Sequence, residues 1–217
     1  MRDTFDEQLS QVFGDLVSIC GMVQVAVNVA TQALLEGDIT LAEEVISGDR
    51  AIDVAREEVE ENAIGMLTLQ APVARDLRSV VAALRMVTEL ERMGDLSVHV
   101  AKIARMRVPN IAIPDEVAPT IRKMAEVAED MVVRVGQIIA DRDVSAAIEL
   151  GRDDEIMDGL RRASFVELLS DDWSHGVEAA VDLALLGRYY ERIADHAVSI
   201  AQRIVFVVTG ETDKRVG

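Results

Sequence analysis

The acidic residues of this chain fall in pairs at a spacing that repeats. Asp49 with Asp53 and Asp154 with Asp158 form two D-x-x-x-D pairs, and Glu91 with Asp95 and Glu191 with Asp195 form two E-x-x-x-D pairs. On a helix, a spacing of four stacks two side chains on one face. Like charges so placed are unfavourable by roughly 0.2–0.5 kcal/mol per pair, so the chain gains nothing locally from the arrangement. Read in steps of seven, Leu77, Leu84, Glu91, Val98 and Val177, Ala184, Glu191, Val198, Val205 set a carboxylate at the same place in two otherwise apolar rows. An aliphatic residue packs more easily there. Such an acid has to be paired, protonated or bound to a cation. Arg92 and Arg192 follow immediately, but neighbours in sequence point about 100° apart on a helix.

Four carboxylates per half, gathered by two antiparallel helices, make an oxygen-rich site. That chemistry suits Mg²⁺, Ca²⁺, Mn²⁺ or ferric iron, and zinc less typically. The competing reading is a pair of solvated acidic faces, against which the repeat and the interrupted apolar rows both weigh. Removing the clustered acids is expected to relieve repulsion in the metal-free protein and to raise its melting temperature. His99 lies four residues beyond Asp95, but its counterpart is Ser199, so a surface role is expected. His175 and His196 have no partner at metal-ligand spacing. The Glu-x-x-His pair of helical di-iron oxidases is missing from both halves. No phosphate-binding G-x-x-x-x-G-K-[ST], nucleophile G-x-S-x-G or zinc H-E-x-x-H occurs. Cys20 is the single cysteine, which excludes an internal disulfide framework and a cysteine-rich zinc site. No catalytic constellation emerges, and an enzyme is not expected. The alternatives are a di-iron-type oxidase or metal-storage helical protein, and a purely structural helical interaction protein.

The elements that must position these acids are helical. Helices are expected near 3–36, 39–70, 72–106, 116–141, 144–170 and 173–208. Asp38 and Asp143 stand where N-caps belong, just before new periodic runs. Pro72 is expected in the first turn of the third helix, where its missing N–H costs nothing. Pro109, Pro114 and Pro119 cluster in RVPNIAIPDEVAP, making residues 107–119 the only long connector. The six helices repeat: EGDITLAEEVISGDRAID (36–53) aligns with DRDVSAAIELGRDDEIMD (141–158), and ELERMGDLSVHVAKI (89–103) with YYERIADHAVSIAQR (189–203). The fold class is therefore all-α, two tandem three-helix bundles related by an internal pseudo-repeat, at residues 1–108 and 115–217.

Composition narrows the partners. The 217 residues include 22 basic and 39 acidic ones, for a net charge of −17. That field repels phosphate backbones and anionic lipid surfaces, so nucleic acid is a poor partner and membrane attachment is expected only peripherally, through other proteins. Half the residues are apolar and aromatics are scarce, in keeping with a helical core rather than disorder. The first residues, MRDTFDEQLSQVF, carry acids where a secretory signal has a basic end, and a cytoplasmic protein is expected. Leu16 to Leu35 is uncharged over the length of a membrane span. Its five polar residues and lack of basic anchors fit a buried helix, or one packed on another subunit, better.

Taken together, QAPVARDLRSVVAALRMVTELERMGDLSVHVAKI (70–103) and the later YYERIADHAVSIAQRI resemble the PhoU family of phosphate-signalling regulators. The resemblance covers nearly the whole chain. Its most specific parts are Pro72, Ala74, Asp76, Leu77 and Arg78 in P-x-A-x-DLR, and the paired ER-x-x-D motifs. It implies two three-helix bundles with multinuclear metal clusters, of iron, zinc, manganese or magnesium, on Asp49, Asp53, Glu91 and Asp95 in the first and Asp154, Asp158, Glu191 and Asp195 in the second. It also implies negative regulation of phosphate uptake and of the phosphate-starvation response. The partners it implies are the ATPase subunit of a phosphate ABC transporter and a sensor histidine kinase, and a homodimer is expected. One departure stands out: DWSHGVE (172–178) replaces PVARDLR (72–78) in the second half, so whatever Asp76 and Arg78 do is not duplicated.

Overall fold

Asp38 and Asp143 cap helices as their positions predict. Asp38 accepts from the backbone N–H of Thr40 and Leu41 at 2.7 and 3.2 Å, and Asp143 from those of Ser145 and Ala146 at 2.8 and 3.0 Å. Each satisfies two of the amides that a helix start leaves without partners. In the computed structural model, which describes residues 2–211, six helices follow in order. They are α1 (Arg2–Glu36), α2 (Ile39–Gln70), α3 (Ala74–Arg107), α4 (Ala118–Asp141), α5 (Val144–Leu168) and α6 (Gly176–Thr209). No strand occurs among the described residues.

Pro72 is displaced from its expected place. The turn between α2 and α3 takes Ala71, Pro72 and Val73, and α3 begins at Ala74. Ala71 and Ala74 hold left-handed backbone, φ +45° and +50°, a conformation non-glycine residues seldom adopt. The reversal between two antiparallel helices thus occupies the residues that the spacing assigned to a first helical turn.

The helices share one core. α1, α3, α6 and α4 pack in a ring, each against the next. α2 lies outside against α1 and α3, and α5 outside against α4 and α6. Leu16, Ile19, Val23, Val27, Ala30 and Leu34 of α1 are buried, which accounts for one face of the uncharged stretch of a helix long and apolar enough, by length and composition alone, to cross a membrane. Within that stretch the hydroxyl of Thr31 lies 2.8 Å from that of the buried Tyr190 on α6, meeting the need of two buried polar groups for each other. The connector between α3 and α4 is tied down as well, with Ala112, Ile113 and Val117 buried.

α3 and α6 run antiparallel, and their contacts obey the internal repeat. Arg78 at the start of α3 donates to the carbonyl of Val207 near the end of α6, 3.3 Å away. One hundred residues on, Glu178 at the start of α6 accepts from Arg107 at the end of α3. The places match while the chemistry changes. Arg78 neutralises carbonyls at a helix C-terminus and lies 5.6 Å over the Phe206 ring, whereas Glu178 joins a fork of carboxylates around a guanidinium.

Candidate cation sites

Each outer helix brings its D-x-x-x-D pair to the E-x-x-x-D pair of the helix beside it, α2 to α3 and α5 to α6. The first set forms because α2 approaches α3 closely at Gly94, where a methyl group would stand 3.0 Å from Ile52 Cδ1 and 3.3 Å from Asp49 Oδ1. Burial pushes Asp49 up to about 6, and the neighbouring charges of Asp95, Asp53 and Glu91 push in the same direction, with Lys102 opposing. Glu91 is raised by burial and by Asp95, with Arg92 and Arg56 pulling the other way. In the second set burial pushes Asp154 up to about 6, aided by Asp195, Asp158 and Glu191. Asp195 is raised by burial and by Glu191, opposed by Arg188 and His196. All eight acids therefore fall into two mutually repelling groups of four.

The groups are not finished cages. Among the described residues no three His, Cys, Asp or Glu side chains converge closely enough to hold a metal ion as they stand. What fits a cation is the donor set, which is all carboxylate oxygen and suits hard ions. The Oδ1 atom of Asp154 adds to this, being buried without a hydrogen-bond partner, a costly state that a cation relieves.

The two groups differ in counter-charge, and the sequence difference behind this is local. Arg56 on α2 turns to its own helix, 2.6 Å from Glu60 and 3.4 Å from Glu57. The second half has Arg162 and Phe165 at those places. Arg161, the counterpart of Arg56, lies 5.5 Å over the Phe165 ring and reaches across to Glu191 at 2.6 Å. Arg188, which replaces Thr88, holds the other oxygen of the buried Glu191. The first group instead has Arg92, 3.0 Å from Asp95 and 3.5 Å from Glu91. Removing Glu191 would therefore take the partner from Arg161 and leave Arg188 only Asp195, 3.9 Å away, which works against the relief of repulsion expected for that acid.

The histidines divide. His99 is exposed and stacked on Tyr189, with ring centroids 5.3 Å apart. His175 lies 3.4 Å from Glu116. His196 joins the halves, its Nδ1 2.6 Å from Glu89 Oε2 on α3. Spacing along one helix gave no sign of that contact, because Glu89 and His196 meet only through the antiparallel pairing of α3 and α6. The residues at positions 89 and 189 thus both meet a histidine of the opposite half.

Comparison with known proteins supplies what geometry does not. The PhoU domain family model matches residues 16–104 and 121–204. The chain is 45% identical, over 97% of its length and 99% of the relative's, to the phosphate-specific transport system accessory protein PhoU homolog 2 of Mycobacterium tuberculosis. It is 44% identical to PhoU homolog 1 of Mycobacterium leprae, over 97% of this chain and 95% of that one. Among solved structures, PhoU from Pseudomonas aeruginosa superposes with a TM-score of 0.89 at 26% identity, covering 95% of this chain and all of that one. The phosphate transport system regulatory protein PhoU from Streptococcus pneumoniae gives 0.86 at 25% identity, covering 96% and 98%.

Proposed function

The chain belongs to the PhoU family, and we propose that it is an accessory regulator of a phosphate-specific transport system that restrains phosphate uptake and phosphate-starvation signalling. The observation that carries this is likeness along the whole chain to proteins named for that accessory role, at 45% identity over 97% of its length. It is an accessory protein rather than an enzyme.

The finer reading is a cytoplasmic adaptor between the transporter's ATPase subunit and a sensor histidine kinase, working as a homodimer. A net charge of −17 supports attachment through proteins rather than through lipid. Asp49, Asp53, Glu91 and Asp95 would hold cations between α2 and α3, and Asp154, Asp158, Glu191 and Asp195 between α5 and α6. A bound cation supplies charge neutralisation and a cross-link between neighbouring helices. The chain's own part is to gather the acids, to neutralise Glu191 from Arg161 and Arg188, and to leave the first group with Arg92 at its rim.

Deleting the protein together with any close paralogue in one cell tests the regulatory reading. Phosphate-starvation genes should stay active although phosphate is plentiful. Normal repression in that strain would defeat the reading.

A further inference from the structure

We infer that the groove between α1 and α2 is a docking site for an amphipathic helix of a partner protein, one that carries a basic residue beside its apolar face. The groove has a volume of about 450 Å³. Its apolar lining comes from three helices: Met22, Val25 and Val29 of α1, Val45 and Ile52 of α2, and Val98 of α3. Val25 is 60% exposed. Along α1 the lining runs from Ser18 to Val29, roughly 16 Å or three helical turns, enough for the i, i+3, i+4, i+7 anchors by which a helix seats in a groove.

Two glycines, Gly21 and Gly48, line it. A Cβ added at Gly21 or Gly48 would meet nothing within 4 Å, so neither is needed for packing of α1 on α2.

Charge selects the occupant. Glu44 and Asp49 are the charged residues of the lining, and no Lys, Arg or His lies among the described residues that form it. Lys102, one turn beyond Val98, acts on Asp49 from outside the lining. Asp49 belongs to the acid group between α2 and α3, which leaves Glu44 as the carboxylate that an apolar trough without Lys, Arg or His offers to a helix bringing its own Lys or Arg, because unpaired charges on a desolvated interface are unfavourable. A second copy that presents its own α1 is the poorer occupant, since α1 carries no charge between Leu16 and Leu35 and offers that carboxylate nothing. An anionic lipid surface is repelled outright.

This deepens the adaptor reading and rests on it only for the partner's biological identity. The test uses the full chain and a fluorescein-labelled 18-residue helical peptide with leucine at i, i+3, i+4 and i+7 and flanking lysines, followed by anisotropy. A control peptide has glutamate for each lysine. The lysine peptide should bind at least tenfold more tightly than the control. Gly21→Leu with Gly48→Leu should melt no lower than the parent yet lose at least tenfold in binding. Glu44→Gln should weaken binding severalfold and flatten its dependence on salt. Four results overturn the inference: no binding of the lysine peptide at millimolar concentration, equal binding of both peptides, full binding by the glycine double variant, or that variant turning a dimer into a monomer on sedimentation, which assigns the groove to a second copy. None of these touches repression of phosphate-starvation genes, so failure here is distinct from failure of the accessory role.

Discussion

Arg107 forks onto Asp182, with Nε 2.6 Å from Oδ2 and Nη2 3.0 Å from Oδ1, and so fastens the end of α3 to the beginning of α6. Asp182 is 4% exposed, and a buried carboxylate that loses its partner is left with its full desolvation penalty. Arg107→Ala should lower the melting temperature by about 5–10 °C. Arg105→Ala, which loses only an exposed pair with Glu43, should shift it by roughly 1–2 °C at most. Equal effects of the two variants, measured by thermal unfolding, would show that the buried fork carries no special weight.

The same fastening bears on how the halves behave when cut. Because α3 packs on α6 and α1 on α4, and because Ala112, Ile113 and Val117 are buried, a single nick between residues 107 and 119 should leave the two fragments associated. They should elute together from a sizing column without denaturant. Separation into two folded halves would make the shared core a weak contact.

Burial of Asp49 and Asp154, aided by acid repulsion, gives a pH dependence with a definite sign. Asp49 and Asp154 are raised to about 6 in the folded protein from an ordinary 3.8. Between those values the folded state holds protons that the unfolded state has released, so stability falls as pH rises. The contribution is fully present below about 4 and is lost as pH climbs through about 6. Chelator-treated protein should therefore melt higher at pH 5 than at pH 7, and Asp49→Asn with Asp154→Asn should reduce that difference. A pH response unchanged in the double variant would place its source elsewhere.

Individual acids should behave differently. Asp49→Ala should stabilise the metal-free protein by about 0.5–1 kcal/mol after solvent screening. Glu191→Ala should destabilise it by about 0.5–1 kcal/mol, because Arg161 loses its partner and Arg188 keeps only Asp195, both guanidinium groups being partly solvated. Denaturant titration of both variants decides. The same sign for both would remove the asymmetry between the two groups.

These differences mark where the sequence was readable. The helix bounds followed from punctuation and from Asp38 and Asp143, since caps and prolines act over a few residues. Spacing paired the eight acids two by two along their helices, and the packing of α2 on α3 and of α5 on α6 brings the pairs together. Pro72 misled, because a proline before a helix and one inside its first turn look alike in sequence. The separate fates of Arg56 and Arg161 were encoded locally, in Glu57 and Glu60 against Arg162 and Phe165, but they could be recognised only once Glu191 was known to be buried. Glu89 with His196, and Arg107 with Asp182, depend on antiparallel pairing between halves, about which helical periodicity says nothing.

On the regulatory reading proposed above, repression depends on the two acid groups. Complementation of a strain lacking this protein and its close paralogues tests it most directly, with phosphate-starvation reporter activity measured in plentiful phosphate. The parent chain should restore repression, and a chain with Asp49→Asn, Asp53→Asn, Glu91→Gln and Asp95→Asn, present at equal abundance and equally folded, should not. Full repression by that variant would contradict the claim for the first group.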